Sequence, residues 1–172
     1  MNKVQFPIGQ FVLIPNPSVE ERLNFIDQIP GITITLRNLL KDITPKQLHT
    51  SYRPDGWTIQ QIVHHLADND MNAYLRFKRA LTEDEPLSDS YREDLWAELS
   101  DYKDVPIETS LLLLETLHSR FLTLLNGLSP EAFNRRLRTQ VLGLITMDTA
   151  LQRFIWHNQH HISQIRSIVA ND

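Results

Sequence analysis

Seven histidines stand in this chain of 172 residues, and five fall in two clusters: His64-His65, then His157 with His160 and His161. Neutral imidazole is a common metal ligand, and histidine is the side chain whose ordinary charge change lies nearest neutral pH. His157 and His161 are four residues apart, the spacing at which two imidazoles on one helix face can share an ion. Taken alone, that pair also fits a buried hydrogen-bonded couple or a solvated histidine-rich turn. A third ligand would have to come from a facing helix, as metal sites in helical bundles do, and His64-His65 offers the candidates. His49 stands apart from both clusters.

The segments that must position these residues read as helices. Along the last of them, at about 100° per residue, Ala150, Leu151, Phe154, Ile162, Ile165, Ile168 and Val169 form an apolar stripe. His161 falls inside the stripe and His157 at its edge, whereas His160 points to the opposite face with Gln152, Trp156 and Ser163. On the earlier helix His64 and His65 flank the stripe on opposite edges, so periodicity does not choose between them. His65 shares its sector with Asp68, Asn72 and Arg76, a polar line beside a core face that also fits an ordinary solvated surface. His118 lies within an apolar stripe of Leu114, Leu117, Phe121 and Leu125, where a satisfied core group is the commoner outcome. Gln164, one turn beyond His161, could touch either the site or solvent.

The remaining punctuation gives an all-α fold, a four-helix bundle with short extra helices in its connections. Pro7, Gly9, Pro15 and Pro17 mark residues 1–17 as an extended arm on a single domain spanning 1–172. Ser18 caps a first helix carrying Glu20 and Glu21, and Pro30-Gly31 either kinks that helix or breaks it in two. Pro45 starts a short turn. The second long helix is expected from about Thr58 to Leu81, a short one around Asp94–Leu99, and the third from Pro106 to Asn126, stopped by Gly127. The last should run from about Thr146 to Val169, after a short extended piece within 137–145.

Composition narrows the function. The net charge is −4 with no block of Lys or Arg, which argues against nucleic acid as a partner. There is no cysteine, hence no disulfide, no Cys-based zinc site and no thiol nucleophile in the chain. The longest apolar run, Leu111–Leu114, is far short of a membrane span. Residues 1–4 lack the charged-then-apolar order of a secretory signal, so a cytoplasmic protein is expected.

The run Tyr52-Arg53-Pro54-Asp55-Gly56-Trp57-Thr58, followed by Val63-His64-His65-Leu66-Ala67-Asp68, resembles the DinB/YfiT-like metalloprotein superfamily, YfiT subfamily. The likeness continues through Pro7-Ile8-Gly9-Gln10-Phe11, Met71 to Lys78, Ala80 to Asp84, Trp96 to Leu99, and Trp156-His157 with His160-His161-Ile162. Each piece is weak alone, but their order and spacing are specific. The resemblance implies a four-helix bundle whose ligands are the histidine before an aliphatic residue on the second helix and the HxxxH pair on the last. Carried across, these are His65, His157 and His161, holding one divalent ion per chain, zinc or nickel. It further implies a homodimer and either bacillithiol S-transfer or metal-dependent hydrolysis. Many wider family members follow the last histidine with Arg-Gly, where this chain has Ile162-Ser163, so no role for that arginine carries over.

Three neutral imidazoles would leave an ion with open positions. On the transfer reading the ion holds a small thiol as thiolate for attack on an electrophilic substrate; on the hydrolytic reading it activates water, with Asp68 handling the proton. Asn72 and Arg76 are the candidate substrate contacts, Arg76 pairing with a cosubstrate carboxylate. A non-catalytic metal-binding bundle is the third reading, and an open site argues mildly against it, since structural zinc is usually four-coordinate.

Overall fold

The computed structural model describes residues 5–88 and 90–170. Most of its longer helices start at polar caps. Ser18 and Glu21 form a reciprocal capping box that opens α1 (Val19–Ile26). Pro30-Gly31 does not break a helix: the break comes earlier, at Asp27-Gln28, and Pro30 lies in the first turn of α2 (Ile29–Leu40), where its missing N–H removes no helical bond. After the short α3 (Pro45–Leu48), Thr58 and Gln61 form the box that opens α4 (Ile59–Thr82).

The connection to the third long helix holds the two-residue strand β1 (Leu87–Ser88) and the short helices α5 (Glu93–Trp96) and α6 (Ser100–Asp104). Helix α7 (Ile107–Asn126) ends at Gly127, whose φ of −85° is right-handed. A 3-10 turn (Pro130–Asn134) leads to the hairpin of β2 (Arg136–Thr139) and β3 (Gly143–Thr146), and Thr146 caps α8 (Met147–Val169). The extended piece expected within 137–145 is thus an antiparallel hairpin. It is joined by β1 parallel to β2, Leu87 opposite Arg138. A strand of two residues carries no period that a sequence could reveal.

The bundle is formed by α2, α4, α7 and α8, whose main contacts run around the ring in the order α2, α7, α4, α8. Two of the three connections between successive long helices therefore cross a diagonal, a connectivity that hydrophobic periodicity does not encode. Phe77, Phe121 and Phe154 meet edge-to-face in the core, with ring centroids 4.9 and 5.1 Å apart. At one end α1 is tied to α8 by Arg22, whose guanidinium bonds both Asp148 carboxylate oxygens at 2.7 and 2.9 Å, both side chains being buried.

One face differs from expectation. Gln152 and His160, assigned from phase to the side of α8 away from the core, are both buried. The arm covers them. Gln152 exchanges two hydrogen bonds with the Ile14 backbone (2.9 and 3.1 Å), Phe6 packs on His160, and Phe11 packs on Trp156. No helix among the described residues is long and apolar enough to cross a membrane.

Candidate metal centre

Helices α4 and α8 lie side by side, and the turns that face each other bring His65 to His157 and His161. One ring nitrogen from each of the three lies within 4.8 Å of the others, and among the described residues no Asp or Glu joins them. The Nε2 atoms of His65 and His157 are 3.2 Å apart. His64 points elsewhere. Its Nδ1 accepts from Ser110 Oγ at 2.8 Å, and its Nε2 donates to the Val105 carbonyl at 3.1 Å, so both nitrogens are engaged.

The Tyr52–Thr58 segment has a structural purpose that its sequence does not disclose. Asp55 takes a left-handed φ of 57°, Gly56 N–H closes the turn on the Arg53 carbonyl, and the chain returns to pair Ser51 with Thr58. A Cβ on Gly56 would stand 2.7 Å from Arg53 Cγ and 3.1 Å from the Arg53 carbonyl oxygen, so only glycine fits without displacement. The product is Trp57, whose ring lies 4.5 Å from His65 and stacks over His161 at 6.0 Å. It closes one side of the cluster with an apolar wall.

Burial pushes the His65 ring down to about 3, and pushes His157 and His161 well below the ordinary histidine value, with the neighbouring histidines adding to it. All three are neutral at pH 7. A neutral imidazole can present a nitrogen lone pair, and three of them here bring one ring nitrogen each to within 4.8 Å of one another. The donor set thus fits a divalent ion on nitrogen ligands.

A polar shell surrounds the three. The Asn69 side-chain amide is 3.1 Å from His157 Nδ1 and also donates to Asp70 Oδ1 at 3.2 Å. Asp70, fully buried, is held further by Asn158 Nδ2 and by His118 Nε2 at 2.7 Å. His118 is therefore a core group held through Nε2 alone, its buried Nδ1 having no partner among the described residues, and Asp70 and Asn69 link it to the site. Gln164 does reach the site, through Oε1 at 2.8 Å from His161 Nδ1, and its amide nitrogen meets His160 and the Gln5 carbonyl of the arm.

The polar line expected beside His65 is split by the structure. Asp68 accepts from Tyr102 Oη at 2.7 Å, on the side facing α6, and burial raises its carboxyl. Asn72 donates to the Asp68 backbone carbonyl at 2.8 Å. Neither lines the cavity that adjoins the cluster. That cavity, about 380 Å³, is lined by His157, Asn69, Arg76 and Arg153 together with residues of the three-stranded sheet. Sequence reasoning misses Asn69 and Arg153, though each stands four residues from a histidine of the cluster, the spacing that places helix neighbours on one face. Trp57 carries no such signal.

A family model described as the DinB superfamily matches residues 34–165. A protein of Oceanobacillus iheyensis named "Putative metal-dependent hydrolase" is 42% identical over 167 residues, covering 95% of each chain. A Bacillus cereus protein of the same name is 40% identical over 169 residues, covering 98% of this chain and 96% of its own. Among solved structures, YfiT from Bacillus subtilis, described as a probable metal-dependent hydrolase with an unusual four-helix bundle topology, matches with a TM-score of 0.95. It is 36% identical, over 98% of this chain and 97% of that one. The crossed connectivity of the bundle and the histidines of α4 and α8 thus stand in a chain that belongs to the DinB superfamily and shares the four-helix topology of YfiT.

Proposed function

We propose that His65, His157 and His161 hold one divalent ion, zinc or nickel, and that the chain is a metal-dependent enzyme transferring a low-molecular-weight thiol of the bacillithiol type to an electrophile. The observation that carries the reading is the double position of His157, which belongs to the three-histidine cluster and also lines the 380 Å³ cavity. A ligand ion there would be reachable by a small molecule. When bound, such an ion acts as a Lewis acid that lowers the pKa of a coordinated thiol or water.

The residues divide the remaining work. Trp57 and the aromatic core exclude water from one side, Asn69 and Gln164 hold the rings of His157 and His161, and Arg76 lines the cavity where a cosubstrate carboxylate would lie. In the transfer, the thiol sulfur forms a bond to the electrophilic carbon, the bond from that carbon to its leaving group breaks, and the thiol proton passes to solvent. A thiol, with a pKa near 8.5, needs less help in ionising than water does. This favours transfer, because the two nearest carboxylates on α4 are engaged elsewhere: Asp68 by Tyr102, and Asp70 by His118, Asn69 and Asn158.

The names of the relatives favour hydrolysis as the second reading. The test is direct: metal-loaded protein is assayed with bacillithiol and monochlorobimane, and separately with p-nitrophenyl acetate. Thiol conjugation that disappears in His157→Ala supports transfer. Ester cleavage without conjugation overturns it in favour of hydrolysis. Light scattering checks the accompanying expectation of a homodimer.

A further inference from the structure

The cavity beside His157 contains more hydrogen-bond donors than the protein satisfies. Arg153 lies in α8 four residues before His157, about 6 Å along the axis, and lines the cavity with Arg76. Its guanidinium carbon sits 5.2 Å from the ring of Phe11. No carboxylate among the described residues balances it, and burial followed by the charge of Arg76 disfavours its protonated form. Tyr91 and Ser88 line the same cavity, and Tyr91 Oη and Ser88 Oγ are buried and have no hydrogen-bond partner among the described residues. Buried polar groups are nearly always satisfied. Two orphaned hydroxyls and a half-buried guanidinium line one cavity with the apolar Phe77, Phe154 and Leu137, and describe a site whose missing component is negative and accepts hydrogen bonds.

We propose that this cavity binds the oxyanion end of a small organic molecule, a carboxylate or a phosphate group, on Arg153, Tyr91 and Ser88, with the organic body lying against the aromatic wall. The inference rests on the metal-site reading only for its direction: the anion is held at the sheet end, so the reacting atom of the molecule points towards His157. Arg153 leans towards the N-terminus of α8, as helical side chains do. The molecule must therefore span at least about 6 Å, the rise of four helical residues, between its anionic group and its reacting atom. The guanidinium carbon lies over the Phe11 ring of the arm, a cation–π contact that gives the arm a part in recognition.

The experiment uses the full chain freed of metal by chelation, so that it reads the cavity whether or not the histidines prove to be ligands. Binding of 4-phenylbutyrate, phenyl phosphate and the neutral 4-phenylbutyramide is measured by ligand-detected NMR titration. The two anions should bind and the amide should not; which anion binds more tightly tells carboxylate from phosphate. Arg153→Met should weaken the preferred anion by roughly 10- to 100-fold, the range for a lost charge-assisted bond. Arg153→Met should also melt no lower than the parent, since it removes an unbalanced cation, and Tyr91→Phe should fold normally and weaken binding to a smaller degree. Equal binding of the amide overturns the proposal. So does anion binding that survives both substitutions.

Discussion

Lowering the pH on the chelated protein is the sharpest perturbation of the histidine cluster. His65 is depressed to about 3, and His157 and His161 lie well below the ordinary value, all by burial first. A histidine whose folded pKa is depressed contributes stability above its unfolded pKa, near 6.5, and that stability is lost as pH falls towards the folded value. At pH 5.5 the His65 ring costs the folded state about 1.4 kcal/mol relative to alkaline pH, and His157 and His161 act in the same direction. One ring is already a measurable part of the roughly 5–15 kcal/mol typical of a domain. His64 and His160 are also depressed by burial, so the difference between variants is the informative quantity, not the absolute slope. Urea unfolding between pH 7 and 5 should show His65→Gln losing about 1.4 kcal/mol less than the parent at pH 5.5. The same slope in parent and variant would refute the claim that this ring is neutral and buried, and with it the reading of the ring as a neutral ligand.

Three further outcomes rest on named contacts. Arg22→Met strands the buried Asp148 carboxylate and should cost about 3–5 kcal/mol in denaturant unfolding; a change under about 1 kcal/mol would mean that end of the bundle relaxes freely. Asn69→Leu removes the amide beside His157 and should weaken metal affinity by roughly 10- to 100-fold in chelator competition, whereas unaltered affinity would make Asn69 a bystander. Asp68→Asn should keep its metal and its conjugation rate within about threefold, because Asp68 faces Tyr102; a loss of about 100-fold or more would return it to proton handling.

How much of the fold and the site is legible in the sequence depends on the range of the interaction. Capping residues and apolar periods act within one or two turns, and they locate α4, α7 and α8 to within a residue or so: Thr58 caps α4, and Thr146 caps α8. The pairing of His157 with His161 is likewise a matter of phase on one helix. The choice of His65 over His64 is not, because both edges of that stripe are buried, one against α8 and the other against Ser110 of α7. Family likeness supplies what phase cannot. The face of Gln152 and His160 reads as exposed because its cover, residues 5–14, has no period and lies more than a hundred residues away in sequence. Charge favours Asp68 over Asn69 in the sequence, although four residues, not three, carry the contact across to His157. The crossed order of the helices around the ring leaves no trace in any single segment.

The central claim is that three histidines hold one ion. Inductively coupled plasma mass spectrometry on the protein and on four single variants tests it most directly. About one zinc or nickel per chain is predicted for the parent and for His64→Ala, whose ring is engaged by Ser110 and Val105, with almost none in His65→Ala, His157→Ala or His161→Ala. Full metal in those three variants, or its loss in His64→Ala with His65→Ala unaffected, would contradict the account.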